Sequence, residues 1–399
     1  MHILMIAPQP FFEARGTPFS EFHRIRALID LGHTVDLVTY PFGRDVSLDG
    51  LRITRAMRPP FVRRVRIGPS LAKIPLDLAV ALSALRLALT RRYDAVHSHE
   101  EGGVIGVLLA KWLGVPHLYD MHSSLPQQLD NFQFSRSRVL RAAARWAERL
   151  MVRRSRAVVV ICPQLEEVVR GIDPGASPIL IENAPGSGDA PAAGSGAGVR
   201  QEMGLAPHAP VAVYTGTFEA YQGLGLLFAA AALVARARPD ARVLLVGGEP
   251  AQVEQARRQA QAAGAGDVVV FAGHRPAEDI PRILDAADCL VSPRSSGTNT
   301  PLKIYQYLRS GRPIVATRLL THTQVLDDEV AILTEATPQA FADGLLRAFT
   351  DPEFARRVGE RARALAERKY SYEAYLARTR EACARLGAGS PAPAAGEAS

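Results

Sequence analysis

Thr298–Asn–Thr–Pro–Leu–Lys–Ile–Tyr–Gln–Tyr–Leu–Arg–Ser–Gly–Arg–Pro–Ile–Val–Ala–Thr317 is the stretch whose reading decides the fold. Just before it, the apolar run Cys289–Leu–Val291 reads as a strand that stops at Ser292–Pro293. A polar loop follows, Pro301 opens a short helix, Gly311 ends it, and Pro313–Ile–Val–Ala316 starts another strand. Strand, loop and helix in that order place hydroxyls, helix N-terminal amides and Lys303 beyond the carboxyl end of a strand. Open parallel sheets bind anionic ligands there. The same residues also fit a plain strand–helix connection with a capping threonine.

Outward from that stretch, short buried-strand runs alternate with helical patterns along most of the chain. In the first half the strands are Ile3–Ala7, Thr34–Thr39, Ala95–His97, His117–Asp120, Ala157–Cys162 and Pro178–Ile181, with helices at Phe19–Leu31 and Gly103–Leu113. Residues 184–199 are almost entirely Gly, Ala, Pro and Ser and read as a flexible linker, placed at 184–201. A second series then runs through Val211–Tyr214, Gly223–Ala237, Val243–Val246, Ala251–Ala263, Val268–Phe271 and Ile280–Ala286. Gln339–Ala366 reads as helical throughout. The pattern predicts an α/β protein with two doubly wound Rossmann-like domains, 1–183 and 202–366, facing across a cleft. A terminal helix at 367–386 is expected to pack back on the first domain, and residues 387–399 form a disordered tail.

The 399 residues carry a formal net charge of +7, and the excess is confined to one half. Residues 1–183 hold 24 Lys/Arg against 17 Asp/Glu, whereas the rest hold 23 of each. Two stretches supply it: Arg52 to Arg92, beside the apolar Leu71–Leu89, and Arg136 to Arg156, which reads as an amphipathic helix. They fit either a solvated surface or a patch meeting anionic lipid or a phosphorylated acceptor. No nucleic-acid-binding module is present, so nucleic acid is not expected as a partner. Three scattered cysteines form no disulfide or metal framework, which makes a reducing cytoplasm the expected location. The opening ten residues lack a basic leader pattern. Ile74–Thr90 comes nearest to a transmembrane span but contains Asp77 and Arg86.

Neither first turn carries the three-glycine dinucleotide fingerprint, and the phosphate-loop pattern is absent, which disfavours a nicotinamide dehydrogenase and a phosphate-loop kinase. Gly16 and Thr17 precede a helix, where their amides would face a phosphate or sugar unless they form only a helix-entry turn. His97 and His99 lie beside Glu100 and Glu101, where a zinc site is conceivable, but His-x-His with two acids and no further ligand is a weak pattern for one. His122 follows another strand end, within Asp120–Met–His–Ser–Ser–Leu–Pro126, and suits a sugar hydroxyl.

Together these pieces resemble the retaining family 4 glycosyltransferases of GT-B architecture, over about residues 1–385. The motifs are Arg15–Gly–Thr17, Leu31–Gly–His–Thr–Val–Asp36, Val96–His–Ser–His99, Leu118–Tyr–Asp–Met–His122, Glu182–Asn183, Tyr214–Thr–Gly216, Phe271–Ala–Gly273, Ala287–Pro293 and Pro301–Ala316. The resemblance implies transfer of a sugar from a nucleotide donor with retained configuration and no cofactor or required metal. Expected partners are the nucleotide-sugar, a glycan or lipid-linked acceptor in envelope glycan, glycolipid or polysaccharide synthesis, and an anionic inner-membrane surface met by the basic domain. By that resemblance His122 holds the donor sugar, Gly16 and Thr17 lie near the phosphates and acceptor, and Gly216 and Thr217 face the diphosphate. Gly273 and His274 hold the base, and Thr298, Asn299, Thr300, Pro301, Leu302 and Gln306 complete the donor site.

Four positions depart from the family pattern. An arginine directly after the glycine, and a lysine five residues on, are replaced by Thr217 and Gln222. Two glutamates eight apart become Thr298 and Gln306. Lys303, with the amides of Thr300 to Lys303, is the expected substitute for the missing cations, and Arg294 a second. The altered clamp leaves two other readings open: another GT-B enzyme such as a nucleotide-sugar epimerase, or a non-catalytic sugar-nucleotide-binding subunit.

Overall fold

A computed structural model describes residues 1–12, 16–62, 65, 70, 72–131, 137–182 and 194–387. It divides into two compact units, residues 1–183 with 373 onward, and residues 184–372. The first unit runs β1 (His2–Ala7), α1 (Gly16–Asp30), β2 (Thr34–Thr39), β3 (Leu51–Arg55), α2 (Lys73–Thr90), β4 (Ala95–His99), α3 (Gly102–Leu113) and β5 (His117–Met121). It continues through α4 (Leu125–Asn131), α5 (Arg138–Arg154), β6 (Ala157–Val160), α6 (Pro163–Ile172) and β7 (Ile179–Leu180). The second holds α7 (Gly196–Glu202), β8 (Val211–Thr215), α8 (Leu224–Ala237), β9 (Arg242–Val246), α9 (Pro250–Ala262), β10 (Val269–Gly273), α10 (Ile280–Asp285) and β11 (Cys289–Ser292). Then come α11 (Lys303–Ser310), β12 (Ile314–Thr317), α12 (Leu320–Thr323), β13 (Ile332–Thr334), α13 (Pro338–Thr350) and α14 (Pro352–Lys369). The last helix, α15 (Tyr372–Gly387), belongs to the first unit from Glu373 on.

Every strand pair in both sheets is parallel. The first sheet has the order β3-β2-β1-β4-β5-β6-β7 and the second β10-β9-β8-β11-β12-β13. Chain direction across the sheet reverses between β1 and β4 in the first and between β8 and β11 in the second. The loops leaving those strands therefore splay apart at the sheet's carboxyl edge, the usual ligand crevice of such folds. Burial on both faces explains the unbroken apolar runs: Ile3–Ala7 and Val211–Tyr214 are entirely buried.

In the first unit α2 and α3 cover one sheet face, packing on Leu4, Ile6, Val38 and Val96. α1 covers the other face over Ile3 and Met5, and Cys383 of α15 joins the same cluster. Arg378 of α15 donates to Glu182 Oε2 at 2.9 Å.

Two expectations are corrected. The stretch 184–201 is not linker throughout: residues 183–193 lie outside those described, but α7 follows, and Val199 is buried in the second core. A Cβ on Gly196 would lie 2.3 Å from the Ala286 backbone nitrogen, so only glycine fits that approach. The helical run 339–366 is two helices, because Asp351 ends α13 and its carboxylate accepts the Phe354 amide at 2.9 Å, with Pro352 opening α14. Residues 388–399, read as tail, lie outside those described. Ala220–Ala237 is long and apolar enough to cross a membrane by length and composition. Its Leu227, Phe228, Ala230 and Ala231 form part of the second core instead.

Candidate active site

In the second unit the loops after β8 and β11 sit side by side, because those strands are neighbours. The first loop turns at Gly216, with φ 138°. Its amide donates to the Val246 carbonyl at 3.0 Å, and the Tyr214 hydroxyl donates to the Thr217 carbonyl at 2.7 Å. A Cβ on Gly247 would fall 2.0 Å from the Gly216 oxygen, so the turns after β8 and β9 touch backbone to backbone.

Lys303 begins α11 and is only 8% exposed. Its ammonium lies 3.7 Å from the centre of the Tyr214 ring and 3.4 Å from Gln222 Oε1. It would be 3.6 Å from a Cβ on Gly216. Gln222 in turn donates to Thr217 Oγ1 at 3.4 Å. The Lys303 ammonium thus lies at the loop that carries Thr217 and Gln222.

A second cation, Arg294, donates through Nη1 to the Asn299 carbonyl at 2.9 Å and to Thr321 Oγ1 at 2.8 Å. Its guanidinium stacks 5.0 Å over Tyr221, and its Nε has no partner. Among the described residues neither cation is paired with a carboxylate. Burial pushes the Lys303 ammonium well below its usual range, and Arg294 pushes it further. Burial lowers Arg294 as well. A buried and a half-buried cation without an anion are an unfinished arrangement, because desolvating the Lys303 ammonium alone costs several kcal/mol that no counter-charge offsets.

The loop between β11 and α11 is braced from behind. His322 bridges Ser292 Oγ at 2.8 Å and the Thr317 carbonyl at 2.7 Å, and Gln324 donates to the Thr298 carbonyl at 2.7 Å. No side chain caps α11. The Thr300 hydroxyl, the candidate cap, is buried without a partner. Pro301 is buried, while Leu302 and Gln306 are half-buried on successive turns. Gly273 ends β10 with φ 68°, and exposed His274 follows it on the same sheet edge.

The first unit gathers a different set. In register His99 faces Asp120, and His97, His99 and Asp120 share the sheet face under α1. Arg24 of α1 donates to Asp120 Oδ2 at 2.8 Å and to Thr379 Oγ1 at 3.3 Å, with its guanidinium 4.9 Å over Tyr375. His122 Nε2 lies 3.2 Å from Asp120 Oδ1 and 3.3 Å from His99 Nδ1. Burial alone would raise Asp120, but Arg24 and then the imidazoles override it and hold the carboxyl well below its usual range. Burial drives His97 and His99 down, so both rings are neutral. One ligand atom from each of His97, His99 and Asp120 lies within 4.8 Å of the others. Arg24 already holds that carboxylate, and a metal cation would sit against the guanidinium. The donor set is therefore that of an ion pair wrapped in neutral imidazoles.

Sequence reasoning missed Arg24 and its neighbour Glu21. Glu21 is fully buried with neither carboxylate oxygen partnered, and burial, then Glu100, Asp120 and Glu101, raises it well above the usual range. The available signal was two charged residues spaced i, i+3 along the inward stripe of α1. Glu100, the only described non-glycine residue with positive φ (50°), accepts from Ser123 at 2.9 Å and Gln128 at 2.6 Å. Such strain tends to collect at functional sites. Gly16 and Thr17 open α1. Arg15 lies outside the described residues.

Residues 199–365 match the family model for "Glycosyl transferases group 1", and residues 23–184 match the "Glycosyl transferase 4-like domain". The chain belongs to the family 4 glycosyltransferases. This glycosyltransferase is 28% identical over 302 residues to the alpha-D-kanosaminyltransferase of Streptomyces kanamyceticus, covering 72% of this chain and 77% of that one. Among solved structures it is similar to sucrose-phosphate synthase from Thermosynechococcus elongatus, with TM-score 0.81 and 21% identity, covering 98% of this chain and all of that one. It is also similar to Anabaena HepE in complex with UDP and glucose, with TM-score 0.73 and 18% identity over 96% and 99% of the two chains. These likenesses show the GT-B fold.

Proposed function

We propose that this glycosyltransferase takes a sugar from a nucleoside diphosphate donor and passes it, with retained configuration, to a hydroxyl of a glycan or lipid-linked acceptor. The observation that carries the reading is a pair of cations, the buried Lys303 and the half-buried Arg294, without a counter-ion among the described residues at the carboxyl edge between β8 and β11. A diphosphate supplies the missing charge. HepE, of the same fold, binds UDP.

In this reading the bond from the anomeric carbon to the diphosphate oxygen breaks, and positive charge develops on the sugar. The Lys303 ammonium and the N-terminal dipole of α11 offset the charge gathering on the leaving oxygen. The acceptor oxygen bonds to the same face of the anomeric carbon, and its proton passes to the departing diphosphate. In the first unit His122 offers its imidazole to a sugar hydroxyl, with Asp120 orienting the ring.

Lys303→Ala is expected to lower turnover roughly 10²-fold or more, the usual scale for loss of one transition-state donor, with an unchanged circular dichroism spectrum. Release of nucleoside diphosphate from UDP-, GDP-, ADP- and dTDP-sugars measures it, and NMR of the product's anomeric proton tests retention. Turnover in Lys303→Ala equal to that of the unaltered protein would remove the clamp from the mechanism.

A further inference from the structure

The described residues include thirteen large apolar side chains that are exposed, and twelve of them lie in the first unit. Ten lie on three helices, α2, α3 and α5. On α2 they are Ile74, Leu78, Leu82, Leu85 and Leu89, a spacing that marks one helix face. That face points away from the core, because Leu76, Val80, Ala84 and Leu87 of the same helix are the buried ones.

The three helices form one layer. α3 packs against α2 on one side and α5 on the other, and all three crossovers lie on the same sheet face. Their outward residues therefore make a continuous surface rather than three separate spots. Patches of this kind on a soluble domain mark a docking site.

Charge says what docks. The three helices carry nine Lys/Arg and two acids. Both acids turn inward: Tyr40 donates to Asp77 at 2.5 Å, and the Leu125 amide donates to Glu148 at 2.9 Å. The residues flanking α2 continue the bias, with eight arginines and no acid across 51–72, 91 and 92. A second copy of the same face would set cation against cation, which costs several kcal/mol. An anionic bilayer satisfies both features, with the leucines entering the acyl boundary and the arginines meeting phosphate.

The tryptophans point the same way. The chain has two, Trp112 on α3 and Trp146 on α5, and they are 56% and 64% exposed on this layer. Indole rings concentrate at membrane–water interfaces, where one end is apolar and the other wet. We propose that the outer face of α2, α3 and α5 docks this glycosyltransferase on an anionic lipid surface, with both tryptophans in the interface. This goes beyond the donor chemistry and stands apart from it.

The tryptophan pair makes the test direct. Full-length protein is mixed with phosphatidylcholine vesicles, with or without phosphatidylglycerol, and both tryptophan emission and co-sedimentation are read. The expected result is a blue shift and sedimentation with anionic vesicles, weakening as salt rises. Leu82→Glu combined with Leu89→Glu is expected to abolish the shift while leaving the melting temperature and the nucleotide-induced stabilisation intact. Arg138→Gln, Arg145→Gln and Arg149→Gln, all exposed on α5, together are expected to weaken binding about a hundredfold. No response to any vesicle, or vesicle binding unchanged in the leucine variant, would overturn the proposal. So would a dimer in sedimentation velocity that the leucine variant dissociates. Nucleotide stabilisation surviving a failed vesicle test would leave the donor site standing.

Discussion

The two units treat buried charge in opposite ways. In the first, Arg24 and Asp120 meet at 2.8 Å, and neutral imidazoles and Thr379 fill the space around them. In the second, the buried Lys303 and the half-buried Arg294 have only amide, carbonyl, hydroxyl and ring partners. The Arg24–Asp120 pair carries its own counter-charge, whereas Lys303 and Arg294 have none among the described residues. A buried pair is costly to break because one charge is then stranded, whereas a buried charge left unpaired carries a cost that a ligand's counter-charge removes.

The largest expected effect breaks the Arg24–Asp120 pair. Asp120→Asn leaves the Arg24 guanidinium buried without its counter-charge, and the first unit should lose about 3–5 kcal/mol. Urea unfolding measures it, and a loss of less than 1 kcal/mol would mean that Arg24 finds water or another partner. The converse change is smaller and opposite in sign. Lys303→Met removes an unpaired ammonium while keeping the stem that packs on Tyr214, so the free protein should gain on the order of 1 kcal/mol. A clear loss of stability in the free protein would show that the ammonium is already satisfied.

The smallest effect is a fraction of a proton. Lys303 is held below its usual range in the free protein by burial, then by Arg294. The unfolded chain keeps that proton to higher pH, so the free fold gains stability as pH rises through the depressed value. A bound diphosphate lifts the ammonium back. Binding should therefore take up a proton, and affinity should fall as pH rises between the free and bound values. Calorimetry in buffers of differing ionisation heat reads this, and proton release on binding across that window would refute it.

The strands were legible because each is a short apolar run, and α11 because Pro301 and Gly311 bracket it. β3 and β13 were not, since β3 is only partly buried and β13 has three residues. The break at Asp351–Pro352 was written as a cap followed by a helix-opening proline, but the apolar period on either side masked it. In the site, Lys303 could be read from its place at a helix start beyond a strand. The Arg24–Asp120 pair could not, because 96 residues separate partners that only the sheet register brings together. The outer stripe of α2 was hidden for another reason. Its inner and outer faces are both apolar, and periodicity cannot say which one the fold leaves open.

The most direct measurement is the melting temperature of the free protein and of Lys303→Met, each with and without UDP, GDP, ADP and dTDP. At about 100 times its Kd, the nucleotide this site accepts should add ~2.7 kcal/mol to the unaltered protein. Lys303→Met should melt higher on its own and gain little from any of the four. Equal stabilisation of both proteins, or of neither, would contradict the claim that the second unit's unpaired cations await a diphosphate.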